Sequence, residues 1–299
     1  MKTYIPDNNL ITYWSDAKKI TPYPFVAVFE FDNKRLIYIG TKHNMPGHLS
    51  PESFDAINYA FDNFNIDCVV TEFEHTYKNI NDRPGTFLGK PDMNELAYSA
   101  YIAKTKKIPY IFADTNIADW IQDFEKVSHH KAVILQTMLI LKKALNYKKH
   151  FNKNDTIKHA FTNVICDLAE LGFDMQLTIQ EFINCVKQDF GVIVSDENIS
   201  DILATVKNWK EPNIHGHLTN KIWAEINIMS RNPYMLNNIF KAVNQHNTVL
   251  VTMGSGHYEE QRLALEKAFG EPKYIHNFPK TKRFDIEQQI LNFSKTIEK

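Results

Sequence analysis

The strongest constraint on how this chain can fold is a pattern that occurs twice, far apart: an apolar, β-branched run closed by Gly-x-x-His. Leu36-Ile37-Tyr38-Ile39 leads into Gly40-Thr41-Lys42-His43, and Thr248-Val249-Leu250-Val251-Thr252 leads toward Gly254-Ser255-Gly256-His257. A short continuous apolar run reads as a strand buried on both faces, the habit of parallel sheets covered by helices. Gly-x-x-His at the end of such a strand delivers an imidazole to the carboxyl edge of the sheet, where open α/β folds keep their ligand crevices. The expectation is that the two strand ends converge on one crevice.

The elements around the first motif agree with that reading. Residues 25–31 and 35–40 flank Asp32-Asn33-Lys34, which predicts a tight β-hairpin. Ser50-Pro51-Glu52 carries the marks of a helix start, with Phe54, Ile57, Phe61 and Phe64 following at helical spacing. Residues 67–74 predict a third strand with Glu72 and Glu74 at its end, and 109–114 a fourth that ends in Asp114. A helix opened by Asn94-Glu95 separates them, and the polar loop 75–92 is long enough to cover a site.

Beyond residue 117 strand signals almost vanish. Helical candidates follow at 119–148, 155–171, 178–189, 198–208 and 218–245, before the strand at 248–252, a helix at 258–269 and an edge strand from 273. The fold class expected is α/β: a mostly parallel β-sheet, split in sequence and flanked by helices, with a large all-helical insertion between its halves. The division expected is 1–117 for the first half of the core, 118–246 for the insertion and 247–299 for the second half, all within one composite domain.

Bulk properties narrow the function classes. The formal net charge is −1 over 299 residues, with no basic, aromatic-interleaved patch, so a nucleic-acid partner is not expected. Cys68, Cys166 and Cys185 form no CxxC pair and argue against a disulfide framework or a thiolate zinc site. The first ten residues lack the apolar stretch of a secretory signal, and the most apolar helical segment, 132–145, is too short to span a bilayer. A cytoplasmic protein is expected, or one exported without an amino-terminal signal.

Four strand ends should thus present His43, Glu72, Asp114 and His257 on one sheet edge. A carboxylate beside imidazoles can orient them, act as a general base or bind a metal. Two imidazoles and a carboxylate, here His43, His257 and Glu72, are a common set for a divalent metal that keeps an open position. Arg231, near the helix restart at Pro233, can hold a substrate carboxylate or a developing oxyanion. The helix start at Gly254-Ser255-Gly256 is a further candidate for anion binding. Glu74, Asn232, Glu95 and Asp114 complete the set as candidate substrate contacts.

Residues 37–43 resemble the opening strand and GT-x-H of the TraB/GumN and TIKI proteins, within a wider grouping that includes erythromycin esterases and ChaN-like proteins. Glu72 is similar to that grouping's acidic partner, residues 94–103 to its Glu-x3-Ala-x2-Ala helix, and Asp114 to the aspartate that ends its next strand. Ser230-Arg231-Asn232 resembles its Arg-Asn step, and residues 251–257 its closing strand with the second Gly-x-x-His. Two departures stand out: Thr115 where many members carry arginine, and Lys42 inside the first motif.

The resemblance implies a cleft lined by both histidines and Glu72. It implies a hydrolase of the TIKI type that uses a metal such as Mn, Co or Zn, with peptide bonds as the favoured substrate. The alternatives are a metal-free esterase-like hydrolase with His43 as base and Glu72 orienting it, a non-enzymatic haem or small-ligand binder of the ChaN-like type, and a toxin or effector domain. Oligomeric state stays open.

Overall fold

The computed structural model describes residues 3–13, 15–42, 51–74, 95–128, 178–195, 197 and 216–279. His43, the loop 75–92 and the helical candidates 155–171 and 198–208 lie outside them, as does most of the candidate at 119–148. The chain divides into two compact units, one formed by 1–116 with 230–299 and the other by 117–229.

The first unit is built on a mixed six-stranded sheet. Its strands are β1 (Phe25–Phe31), β2 (Lys34–Thr41), β3 (Cys68–Glu74), β4 (Tyr110–Asp114), β5 (Thr248–Gly254) and β6 (Lys273–Ile275), in the order β4-β3-β5-β2-β1-β6. The pairs β2–β5, β3–β5 and β3–β4 are parallel, whereas β1 pairs antiparallel with both β2 and β6. Asp32 and Asn33, both at positive φ, make the β1–β2 turn, in keeping with the preference of two-residue hairpin loops for Asn and Asp. The late strand β5 does not extend the sheet at an edge. It enters the middle, between β2 and β3, so the two halves of the sequence interleave.

Connection handedness then decides which face each helix covers. Helices α1 (Pro51–Asn63) and α2 (Glu95–Thr105) link β2 to β3 and β3 to β4, stepping the same way across the sheet, so right-handed crossovers put both on one face. Phe54, Ile57, Leu96 and Ala100 there join Val26, Ile39, Val69 and Leu250 in one buried cluster. The helix after β5 leads the other way, to β6, and so takes the opposite face. This is Ser255–Phe269, where Tyr258 packs edge-on against Phe25 and Tyr38, and Phe269 against Phe29. Consequently β2 and β5 are neighbours whose crossovers leave on opposite sides. Such a switch point opens a crevice at the carboxyl edge, and here the two Gly-x-x-His strands flank it.

In the second unit, described helices cover α3 (Ile117–Val127), α4 (Ile179–Phe190) and α5 (Gly216–Ile226). α4 shows how locally these ends are specified. Thr178 caps it by accepting from the Glu181 N–H at 3.1 Å, and Gly191 closes it at φ 67°. The helix expected over 218–245 is divided. A π-helical turn, Asn227–Arg231, separates α5 from α6 (Asn232–Gln245), and α6 lies against β3, β4 and β5 in the first unit. The expected boundary at 246 is therefore corrected. An amphipathic helix announces an apolar face, here Met235, Leu236, Ile239 and Phe240, but not the surface that face will cover. In chain order α7 is Ser255–Phe269.

Candidate functional site

Parallel pairing sets Gly40 opposite Met253 and Thr41 opposite Gly254, so the two motifs begin side by side. Their glycines serve different ends. A Cβ at Gly40 would fall 2.6 Å from Phe25 Cε1 and closer still to Cζ, because the paired Phe25 ring lies on its Cα. The space a side chain would need at Gly40 is taken by the protein's own aromatic ring. Gly254 caps α7, and its N–H donates to Glu72 Oε2 at 2.7 Å. The helix amino-terminus read as an anion site therefore receives an internal carboxylate.

Glu72 is the hub. Its Oε1 accepts from Arg231 Nη2 at 2.9 Å and lies 3.2 Å from His257 Nε2. Arg231 also holds Asp114 through Nε to Oδ1 at 3.1 Å and Nη2 to Oδ2 at 2.6 Å, a two-toothed grip. Arg231, Glu72 and Asp114 side chains are 15%, 8% and 9% exposed, so water screens them little. Burial alone would lower the guanidinium's pKa. The Asp114 and then Glu72 charges outweigh it, and the net shift is upward.

The tautomer of His257 follows from a chain of donors. Glu260 Oε2 accepts from Asn232 Nδ2 at 2.7 Å, which turns the Asn232 oxygen toward His257 Nδ1, 2.9 Å away. That oxygen can only accept, so Nδ1 carries a proton. Gln261 Nε2 donates to the same oxygen at 2.8 Å. His257 Nε2 is left facing Glu72 Oε1.

Asn232, Glu95 and Asp114, candidate substrate contacts in the sequence, are buried and have internal partners. Asn232 is 0% exposed and bonded to three internal side chains; Asp114 holds Arg231. Glu95, 1% exposed, takes a 3.4 Å contact from the Thr41 hydroxyl on the α1–α2 face of the crevice. Arg231 too is engaged inward through Nε and Nη2. Glu74 pairs with Asp114 along the backbone, after a register shift in β3 between Thr71 and Glu74. Sequence reasoning missed Glu260 and Gln261. Their signal was present: they stand three and four positions after His257, hence on its side of the helix.

Of the metal set, His43 lies outside the described residues, and Glu72 and His257 are turned toward each other. Both Glu72 oxygens are engaged, His257 Nε2 points at one of them, and a guanidinium sits 2.9 Å from that same oxygen, where a second cation would be repelled. Among the described residues no group of three or more His, Cys, Asp or Glu side chains is arranged to hold a metal ion. With both ring nitrogens engaged, His257 does not suit haem iron either. Compared with protein-family models, characterised proteins and solved structures, the chain matches none.

Proposed function

We propose that the chain is a metal-free hydrolase of esters or peptide bonds, in which the Glu72–His257 pair works at the β2–β5 crevice and His43 takes the proton from the attacking water. The observation that carries this reading is the fixed hydrogen-bond order Asn232–His257–Glu72–Arg231. An imidazole whose Nδ1–H is held and whose Nε2 faces a carboxylate is oriented for acid–base work. Arg231 holds Glu72 in place, and Asp114 holds Arg231 in place. The resemblance to the erythromycin esterase grouping supports the same chemistry. The finer architecture belongs to this reading as well: α3, α4 and α5 are members of an all-helical insertion.

The test is hydrolysis of a panel of nitrophenyl esters and fluorogenic peptides by the purified chain, with and without EDTA. Turnover indifferent to chelation is expected, falling by about 10²–10⁴-fold in His43→Ala and Glu72→Gln variants that keep their circular dichroism. Turnover abolished by EDTA and restored by Mn, Co or Zn would establish the metal-dependent alternative instead. No turnover on any substrate would remove the hydrolase reading.

A further inference from the structure

Among the described residues, Tyr38 Oη, Gln261 Oε1 and Ser230 Oγ are buried side-chain atoms with no hydrogen-bond partner. Tyr38 is fully buried in β2, its ring 4.9 Å from that of Tyr258. Tyr258 and Gln261 are three apart on α7 and so share a helix side. Gln261 holds Asn232 through its nitrogen, which leaves its oxygen unpaired beside the same cluster. Ser230 directly precedes Arg231 and is 3% exposed.

These orphans are complementary. Tyr38 has a proton to give and no acceptor, Gln261 a carbonyl and no donor, and Ser230 can do either. Leaving all three unsatisfied would remove a large part of the marginal stability of a domain. Burial first, and then the charges of Glu72 and Glu260, hold the Tyr38 phenol well above the ordinary tyrosine value, so it stays an O–H donor.

We propose that an internal water sits here, accepting from Tyr38 Oη, donating to Gln261 Oε1 and joined to Ser230 Oγ, and that it makes Tyr38 a positioning residue for His257. Buried waters usually hold about three such partners. Through Gln261 the water fixes Asn232, and Asn232 fixes the imidazole. This inference goes beyond the proposed hydrolysis and does not depend on it.

Crystal structures of the full chain and its Tyr38→Phe variant test it, together with ¹⁵N spectra of the His257 ring. A water within hydrogen-bond distance of Tyr38 Oη is expected in the wild type and not in the variant, with shifted His257 ring resonances in Tyr38→Phe. Ser230→Ala, which removes one partner of the water and no ring packing, is expected to move the same resonances in the same direction. A direct Tyr38–Gln261 bond with no water would overturn the proposal. So would a Tyr38→Phe variant that is more stable than wild type with unmoved His257 resonances, the signature of a merely orphaned hydroxyl.

Discussion

Arg231 Nη2 donates to Glu72 Oε1 at 2.9 Å while the same guanidinium grips Asp114, so one side chain fastens the carboxyl ends of the adjacent strands β3 and β4. The π-helical turn that ends at Arg231 and the helix start at Asn232 give consecutive residues opposite tasks. Arg231 reaches Glu72, and Asn232 reaches His257. The carboxylate and the imidazole are thus positioned against each other from one short segment, and what reads in sequence as a substrate-binding Arg-Asn step is a clamp.

Arg231→Met should remove that clamp and leave two poorly exposed carboxylates without their shared cation. Breaking a buried pair from one side costs about 3–5 kcal/mol. Urea denaturation is expected to show this as a lower midpoint with an unchanged slope. Adding Glu72→Gln and Asp114→Asn to Arg231→Met should recover a large share, because the uncompensated charges are gone. A triple variant no more stable than the single one would show that hydrogen-bond geometry, rather than charge, dominates.

Gly40→Ala should destabilise by about 1–3 kcal/mol, the usual cost of overpacking. The methyl would meet the Phe25 ring, which cannot swing aside because Tyr258 and Tyr274 rings lie 5.0 and 5.9 Å from it. Phe25→Leu in the Gly40→Ala background should relieve part of the loss, and thermal melts of the two singles and the double give the coupling. Strict additivity would remove the packing explanation of the motif's glycine.

The α/β class, the hairpin, the early strands and helices and the C-terminal edge strand were legible because period and turn chemistry are local. So was the meeting of the two Gly-x-x-His strands, since both had to end at a carboxyl edge. The destination of each polar side chain was not. Asn232 and Glu95 look in sequence like residues free to touch a ligand, yet their burial depends on β5 entering the centre of the sheet and on α6 joining it. The register shift between Thr71 and Glu74 has no local signature either.

Stability should fall with alkali from about pH 9. Burial raises the Cys68 thiol from 9.0 to about 11 and the Tyr98 phenol from 10.0 to about 12. Below pH 9 both states keep these protons and the contribution is whole. Between 9 and 11 the unfolded chain releases the thiol proton while the folded one holds it, so stability drops as pH rises, by about 3 kcal/mol for two units. Tyr98 continues the fall to about pH 12. Urea midpoints from pH 8 to 11.5 measure it, and Cys68→Val should delay the onset to about pH 10. An unchanged onset in that variant would clear Cys68 of the effect.

Asn232 offers the sharpest separation of positioning from substrate contact. It is 0% exposed, and its oxygen holds His257 Nδ1–H, so it should influence turnover without influencing substrate affinity. Asn232→Leu removes the acceptor and frees the ring to change tautomer, and kcat is expected to fall by about 10²-fold or more at constant KM. Asn232→Asp keeps an acceptor for Nδ1–H and for Gln261, but sets a second carboxylate oxygen where Nδ2 met Glu260 at 2.7 Å. Two carboxylates so close must share a proton. That variant should therefore be destabilised at neutral pH, regain stability as pH falls, and retain far more turnover than the leucine variant wherever it is folded. A rise in KM with kcat intact in either variant would mean that Asn232 meets the substrate directly, and the relay from Asn232 to His257 would have to be abandoned.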